Sequence, residues 1–258
     1  MQASPDPKQG ERDYYRHIGA EGLAHAKAKP FSDHRTGHYL ADLGALLILL
    51  PPPPARILDL GCGTGWTSRF LGKAGYTVVG IDIAPEAIQA ATDSLGPEEG
   101  GRVTFQVGDY ETPPAKGVFD YVLFYDALHH AEDETAALRC AYDALKPIGA
   151  VFAFEPGEGH GGSESSVRAV REFGVHEKEM PPRYLKTLGQ SVGFRATVSV
   201  PTPHDLARTL YRRNFLDLGG KPGKLWLEKI WGYFRSLQRM TRLQRGALTI
   251  LLKRESEN

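Results

Sequence analysis

The stretch that decides the fold is Ile57-Leu58-Asp59-Leu60-Gly61-Cys62-Gly63-Thr64-Gly65-Trp66. Its apolar first part predicts a buried strand, and three glycines at alternate positions then lead into a helix. Glycines at this spacing permit a tight turn and let a ligand approach the backbone closely. The unpaired N–H groups and the positive end of the helix point back at the turn. The stretch therefore predicts a cradle for a polar ligand that carries a nucleoside.

From residue 55 onward the chain alternates between strand and helix patterns. We predict strands at 55–60, 77–83, 103–107, 119–125, 150–154, 194–200 and 247–252, and helices at 66–74, 85–95, 133–145, 164–173 and 181–191. Such alternation is typical of an α/β protein with a parallel sheet. Before it, residues 1–12 are predicted to be disordered and residues 13–50 to form helical pieces.

Composition and charge argue against several classes of protein. The chain has 258 residues, 41% of them hydrophobic and 24% charged, which is ordinary for a globular protein. Its 31 basic and 31 acidic residues cancel, so no overall field draws it to nucleic acid or an acidic membrane. The two cysteines, Cys62 and Cys140, lack a CxxC spacing, which predicts reduced thiols in a cytoplasmic protein. The longest apolar run, at 46–50, is too short to span a bilayer.

The spacing of the three glycines separates the kinds of nucleotide site. The dinucleotide fingerprint is G-x-G-x-x-G, whereas this loop reads G-x-G-x-G with Asp59 two residues before it, and no G-K-[ST] follows. The segment 59–65 resembles motif I of the class I S-adenosylmethionine-dependent methyltransferases, and the resemblance covers about residues 55–200 plus the last strand. It implies S-adenosylmethionine as the cofactor. It also implies a Rossmann-like, seven-stranded, mostly parallel sheet with helices on both faces, an antiparallel last strand between strands 5 and 6, and helical additions at both termini.

Four predicted strands end in an acid, at the edge where open parallel sheets bind ligands: Asp82, Asp109, Asp126 and Glu155. Each acid alone could also be a helix cap, and an acid after strand 2 serves NAD as well. The resemblance assigns Asp82 to the ribose, Asp109 with Tyr110 to the adenine, and Asp126 to the methionine end. It assigns Asp59 to ordering the loop or to contacting the methionine amino group through water. The predicted cofactor-binding residues are Asp59, Gly61, Cys62, Gly63, Gly65, Asp82, Ile83, Asp109, Tyr110 and Asp126.

The candidate catalytic residues follow strands 4 and 5. His129 and His130 come directly after Asp126-Ala127-Leu128, a sequence that resembles the small-molecule branch of the family. They could remove a hydroxyl proton, or shape the pocket and satisfy backbone carbonyls. Glu155 precedes a glycine-rich loop at 157–162, and His160 lies within it; either could act as a base toward a substrate hydroxyl, and the loop could act as a lid. Together with Glu158 and Asp126 they could take a divalent cation, but they lack a clean ligand spacing, so we predict no metal.

The resemblance implies two parts of the chain. Residues 1–54 form a helical segment over the cofactor and substrate site, where Tyr14 and Tyr15 could cover the cofactor or only pack on the surface. Residues 55–258 form the methyltransferase domain, with a helical cap inserted at about 203–245. From Leu206 to Asn258 we count 12 Lys and Arg against 4 Asp and Glu. The insert could be a substrate roof, the surface of a homodimer, or plain packing.

The function that the resemblance implies is direct methyl transfer to a small-molecule acceptor, and we favour O-methylation of a hydroxyl on a metabolite. A nucleic-acid methyltransferase is the second candidate, supported only by the basic, aromatic insert. No Asn-Pro-Pro-Tyr or Asp-Pro-Pro-Tyr follows strand 4, where such enzymes hold a flipped base, so a nucleic-acid partner is disfavoured. An NAD-dependent oxidoreductase and a non-catalytic S-adenosylmethionine-binding protein are the remaining alternatives.

Overall fold

A seven-stranded sheet forms the centre of the structure, a computed structural model that describes residues 6–112, 115–210, 231, 234 and 246–254. The strands are β1 Arg56–Leu60, β2 Thr77–Asp82, β3 Val103–Val107, β4 Phe119–Tyr125, β5 Leu145–Pro156, β6 Ala196–Pro201 and β7 Gly246–Leu252. They lie in the order β3-β2-β1-β4-β5-β7-β6. The first five pair in parallel, and β7 runs antiparallel to both β5 and β6. The predicted fold class, including the place of the last strand, is confirmed.

Nine α-helices of the described residues surround this sheet. They are α1 Gln9–His17, α2 Gly19–Lys27, α3 Thr36–Leu49, α4 Trp66–Lys73, α5 Pro85–Asp93, α6 Glu134–Ala144, α7 Glu164–Phe173, α8 Pro182–Val192 and α9 Pro203–Leu210. Local chemistry sets several of their ends. Asp133 caps α6 by accepting the N–H groups of Thr135 and Ala136. Gly174 and Gly193 end α7 and α8 in the left-handed conformation that favours glycine.

The two faces of the sheet bury two separate clusters, because successive strand residues point to opposite sides. Leu58 of β1 and Phe124 of β4 pack on one face with residues of α6 and α8, such as Leu138 and Leu185. Ile57 and Leu123, one position away, pack on the other face with Leu46 of α3 and Leu71 of α4. All of these side chains are at most 2% exposed, and each contributes about 1.5–3 kcal/mol by its burial. Strands buried on both faces hold the loops at their carboxyl ends in place.

Two predictions about element bounds are wrong. β5 begins at Leu145 and not at residue 150, because Leu145 pairs with Phe119 ahead of an irregularity in the β4–β5 ladder. Residues 9–12 belong to α1 and are not disordered. Contacts with the domain hold this segment: Lys8, just before it, forms an ion pair with Asp109, and Gly10 packs against the backbone of Gly174.

The cap predicted at 203–245 is described only in part. Its first residues form α9, which packs against α3. The rest of the segment, apart from residues 231 and 234, lies outside the described residues. No helix in the described ranges is long and apolar enough to cross a bilayer.

Candidate functional site

A cavity of about 340 Å³ opens at the carboxyl ends of the central strands. The sheet side contributes Gly61, Asp82, Asp109 and Asp126, and α1 covers it with Glu11, Tyr14 and Tyr15. The strand order reverses between β1 and β4, since β2 and β3 lie on the far side of β1 and β5 lies on the far side of β4. The cavity lies at this reversal, which is where open sheets of this class bind ligands. Six of the predicted cofactor residues line it: Gly61, Asp82, Ile83, Asp109, Tyr110 and Asp126.

The glycine loop after β1 forms a tight cradle beneath the cavity. Gly61 and Gly63 have φ values of 73° and 53°, a region that residues with a Cβ rarely adopt. A Cβ on Gly61 would lie 2.6 Å from the Cβ of Ala127, and a Cβ on Gly63 would lie 2.5 Å from the hydroxyl of Tyr15. Both glycines are therefore required for the turn and for the close approach of neighbouring groups.

Asp82 joins the loop to the end of β2. Its carboxylate accepts the N–H of Gly63 at 2.8 Å and that of Ala84 at 2.9 Å. Burial raises the pKa of Asp82 above its ordinary value. The carboxylate lines the cavity, and its remaining lone pairs can accept hydrogen bonds from two neighbouring hydroxyls of a ligand.

Asp59 lies below the loop and does not line the cavity. The hydroxyls of Thr67 and Ser68 each donate to its Oδ2 at 2.6 Å, and the side chain is almost fully buried. Burial raises the pKa of Asp59 to about 6. Asp59 thus contacts the first turn of α4, directly after the glycine loop. Cys62, Gly63 and Gly65 form the loop but likewise lie outside the cavity lining.

Asp109 and Tyr110 follow β3 on the side of the cavity predicted for the adenine. The Oδ2 of Asp109 lies 2.6 Å from the Nζ of Lys8, and its Oδ1 accepts the N–H of Glu111 at 2.9 Å. The hydroxyl of Tyr110 donates to the carbonyl of Ala127 at 3.1 Å, which fixes the ring against the cradle. Lys8 was missed by sequence reasoning, because nothing in a polar N-terminus marks one lysine over another.

Asp126 turns its carboxylate into the cavity. It is a non-glycine residue with a φ of 55°, and its N–H donates to the carbonyl of Phe154 at 2.9 Å. Such a conformation costs of order 1–3 kcal/mol and persists where the surroundings enforce it. Burial opposes ionisation of Asp126, but the nearby basic side chains, chiefly His129 and Lys29, outweigh it and lower its pKa. The cavity therefore holds an anionic carboxylate beside the end of β4.

Glu155 fixes the position of the segment that follows β4. Its fully buried carboxylate accepts the backbone N–H groups of Ala127, Leu128 and His129 at 3.2, 2.8 and 3.3 Å. It also lies 2.7 Å from the Nδ1 of His129. The structure does not bring Glu155 to the cavity, so it can act there only by positioning His129.

Three histidines of the site lie together. The ring centroids of His129 and His130 are 4.1 Å apart, and those of His129 and His160 are 5.0 Å apart. The Nε2 of His160 lies 2.6 Å from the Oε2 of Glu177, and this hydrogen bond raises the pKa of His160. The predicted candidate Glu158 instead pairs with Arg183 at the surface.

His130 is held as a cation. Its Nδ1 donates to the carbonyl of His176 at 2.6 Å and lies 3.5 Å from the carboxylate of Glu11. Burial opposes protonation of His130, but Glu11 outweighs it and raises the pKa of His130 to about 9. At neutral pH this histidine carries a positive charge, so it can donate a hydrogen bond but cannot accept a proton.

Sequence reasoning also missed Glu11 and Glu177, which both line the cavity. Glu11 lies one turn of helix before Tyr14 and Tyr15, which had been considered as cover for the site, so a helical pattern could have found it. Glu177 stands in an irregular segment between α7 and α8 and carries no signal of its own.

A family model described as a methyltransferase domain matches residues 32–215. The chain belongs to this methyltransferase-domain family. S-adenosylmethionine is the cofactor of the family, and the residues of the domain fit it: Gly61 lines the cavity without a side chain, and Asp82 presents acceptors for ribose hydroxyls.

Two curated methyltransferases resemble parts of the domain. The magnesium-protoporphyrin O-methyltransferase of Rhodobacter capsulatus is 49% identical over 73 residues, which are 28% of this chain and 32% of that protein. The ubiquinone biosynthesis O-methyltransferase of Xanthomonas axonopodis pv. citri (strain 306) is 40% identical over 106 residues, 40% of this chain and 44% of that protein. The chain thus spans less than half the length of these relatives.

Solved methyltransferase structures share the fold of the domain. The magnesium protoporphyrin IX methyltransferase of Synechocystis PCC 6803, solved with its cofactor bound, has a TM-score of 0.61 at 17% identity and covers 99% of this chain and 100% of that one. Phosphoethanolamine N-methyltransferase 2 of Haemonchus contortus has a TM-score of 0.66 at 20% identity, and the match covers 96% of this chain and 60% of that one.

Proposed function

We propose that this chain transfers the methyl group of S-adenosylmethionine to an oxygen of a small-molecule acceptor. The observation that carries the proposal is one cavity lined both by Gly61 of the glycine cradle and by several histidines and carboxylates. A volume of about 340 Å³ is in the range of small-molecule sites. The two curated relatives support the choice of oxygen, since both are named O-methyltransferases.

The cofactor is proposed to lie along the predicted residues that line the cavity. Asp82 would accept the ribose hydroxyls, Asp109 and Tyr110 would contact the adenine, and Gly61 would let the cofactor pass close to the backbone. The methionine end would then reach Asp126. Lys8 and Tyr15 close the site from the side of α1, and the segment 1–54 is proposed to cover both ligands.

Bound S-adenosylmethionine supplies a sulfonium methyl group, whose S–CH₃ bond breaks as the O–CH₃ bond to the acceptor forms. The chain holds the acceptor in line with that methyl group, which removes much of the entropic part of the barrier. Asp126 faces the cavity as an anion and can accept the proton that the acceptor hydroxyl loses. His130, as a cation, can donate a hydrogen bond to the acceptor and orient it.

Calorimetric titration with S-adenosylmethionine, S-adenosylhomocysteine and NAD tests the cofactor part. We expect micromolar binding of both sulfur nucleosides and none of NAD. The variant Asp82→Ala should weaken binding at least tenfold, since it removes the acceptors for the ribose. The exposed acid Asp93, at the end of α5, gives the control variant Asp93→Ala with unchanged affinity.

Methyl transfer is then screened with labelled S-adenosylmethionine and a panel of phenols, carboxylic acids and amines. Label on an oxygen acceptor supports the proposal. Label on amines alone would contradict the choice of oxygen, and binding of NAD without the sulfur nucleosides would contradict the cofactor.

A further inference from the structure

Three side chains from separate segments bring metal-binding atoms together on one wall of the cavity. They are His129, from the 3-10 helix Leu128–His130, His160, from the glycine-rich loop, and Glu177. One ligand atom from each lies within 4.8 Å of the other two. We call these three residues the histidine–glutamate cluster. None of its members has a place in the cofactor cradle.

The contact with Glu155 fixes the tautomer of His129. The buried carboxylate of Glu155 accepts three backbone N–H groups, so the proton of the short contact to Nδ1 belongs to the imidazole. When Nδ1 carries the only proton of the ring, Nε2 has a lone pair that can bind a metal ion. A buried carboxylate that orients a histidine in this way is the usual outer support of a metal-bound imidazole.

The lone pair of His129 faces two further electron-rich atoms. The Oε2 of Glu177 lies 3.9 Å from Nε2, and the Oδ1 of Asp126 lies 4.0 Å from it. Within the part of the chain that the structure describes, no group donates a hydrogen bond to this nitrogen. Two carboxylate oxygens and an imidazole nitrogen around one space offer a metal ion three electron-rich neighbours.

The remaining geometry is close to that of a bound ion. Metal–nitrogen and metal–oxygen bonds of about 2.0–2.2 Å place the ligand atoms of one ion about 3–4 Å apart. The contact of His160 with Glu177, at 2.6 Å, would open slightly as the ion replaces the shared proton. His160 lies beside Gly159, which has a φ of 88°, in a loop that can adjust by this amount.

We propose that the histidine–glutamate cluster binds one divalent transition-metal ion, with Asp126 beside it and open coordination positions toward the cavity. Two imidazoles and a carboxylate suit Zn²⁺, Co²⁺ or Fe²⁺, whereas Mg²⁺ and Ca²⁺ favour oxygen ligands. This departs from the prediction of no metal, which was made without Glu177. Metal binding rests on the geometry alone.

The role of the ion rests on the proposed function. An ion in the cluster would face the space left for the acceptor, beside Asp126. A coordinated hydroxyl loses its proton far more easily than a free one, so the weakly basic carboxylate of Asp126 could accept it. The acceptor class that follows is one with an oxygen free to coordinate, such as a phenol or a carboxylic acid.

The test uses the full chain stripped with EDTA, titrated with Zn²⁺ by calorimetry and with Co²⁺ by visible absorption. We expect one ion per chain at micromolar or tighter affinity, d–d bands typical of nitrogen ligands, and no heat with Mg²⁺. His160→Ala and Glu177→Gln should each weaken Zn²⁺ binding at least tenfold. The matched control is His17→Asn, an exposed histidine of α1, which should bind like the parent.

S-adenosylhomocysteine is titrated into each of the same samples. Unchanged affinity for it shows that the variants fold and keeps the two proposals separate. No saturable Zn²⁺ binding, or equal binding in the parent and both variants, would overturn the metal site while leaving the methyltransferase proposal intact. Zn²⁺ binding to a parent chain that does not bind S-adenosylhomocysteine would support the metal site and contradict the methyltransferase proposal.

Discussion

At the scale of the residue, acids near the carboxyl ends of their strands differ in the partners they meet and hence in role. Asp59 and Glu155 are almost fully buried and accept hydrogen bonds from their own neighbours, Asp59 from hydroxyls and Glu155 from the backbone. Asp82 and Asp126 face the cavity. Position at the end of a strand therefore does not decide whether an acid meets a ligand; the direction of its side chain does.

Asp59 should make the stability of the protein depend on pH. Its pKa rises from 3.8 to about 6 on folding, so between these values the folded state binds more protons than the unfolded state. Stability should therefore fall as the pH rises from about 4 to 6, by up to about 3 kcal/mol for this group. Asp59→Asn keeps an oxygen that accepts from the hydroxyls and removes the titration.

Urea denaturation of the parent and of Asp59→Asn at pH 4, 5, 6 and 7 measures this effect. The free energy of unfolding of the variant, relative to that of the parent, should increase across the range and stay level above it. Parallel curves for the two proteins would show that Asp59 does not titrate on its own. Because Asp59 does not line the cavity, affinity for S-adenosylhomocysteine at pH 7 should change little.

Gly63→Ala should reduce the stability of the folded chain. The residue has a φ of 53°, and the new Cβ would lie 2.5 Å from the hydroxyl of Tyr15. We expect a loss of about 1–2 kcal/mol from the backbone alone, and more from the contact. Gly117→Ala is the matched control, with a φ of 66° and no atom near its Cβ. If Gly63→Ala costs no more than Gly117→Ala in thermal denaturation, the contact with Tyr15 is unimportant.

At the scale of the element, α1 is a helix that is held to the domain in large part by charged contacts, several of them near its ends. None of its residues is fully buried. Lys8, just before it, contacts Asp109 and Glu111 at 2.6 and 2.7 Å, and Arg16 at its other end contacts Glu86 at 2.6 Å. Helices held by such contacts open more easily than core helices, which suits a cover over a ligand site.

Lys8→Ala should loosen α1 and leave the sheet unchanged. The substitution removes two ion pairs whose side chains are largely shielded from water, and a loss of about 1 kcal/mol raises local opening about fivefold. Hydrogen exchange at Gln9–His17 should speed up by this factor while β1 and β4 stay protected. Lys116→Ala, at an exposed lysine, is the control. Equal exchange in both variants would mean that other contacts hold α1.

The N-cap of α6 gives a second prediction about an element. Asp133 accepts the N–H groups of Thr135 and Ala136 at 2.9 and 3.0 Å. Asp133→Ala leaves both donors to water and should cost about 1 kcal/mol in urea denaturation. Glu132→Ala makes the same change of charge at the neighbouring exposed acid and should cost less than half of that. A similar cost for both would point to charge and not to the cap.

At the scale of the whole molecule, the sheet orders the ligand site and the ligand should stabilise the sheet in return. Cradle, acids and helical cover come from many elements, so a ligand that contacts them binds only the folded chain. At a concentration of one hundred times its dissociation constant, it adds about 2.7 kcal/mol to the free energy of unfolding.

S-adenosylhomocysteine should therefore raise the thermal midpoint by about 5–10 °C at that concentration. Differential scanning fluorimetry measures the shift, with NAD and adenosine as controls. The shift should grow with the logarithm of the ligand concentration. A midpoint that does not respond to S-adenosylhomocysteine would contradict the proposed cofactor site as a whole.

Most of the fold could be predicted because its signals are local. The glycine loop, the apolar runs of β1 and β4 and the proline that opens α5 each act through neighbouring residues, so their bounds agree with the structure to within a few positions. The start of β5 was missed because Leu145 joins the sheet through pairing with Phe119, which no period in the sequence records.

By itself, the sequence determined the order of strands and helices, the cradle after β1 and the row of acids at the ends of the strands. These follow from periodicity, from the need for glycine at positive φ and from chain direction in a parallel sheet. Only the tertiary structure decided which acids reach the cavity and that His130 pairs with Glu11. It also brought His160 to Glu177, 17 residues away, and His129 to Glu155, 26 residues away. The physical reason is that packing and electrostatic attraction between distant segments bring these residues together. The pattern of neighbouring residues in the sequence does not predict such long-range contacts.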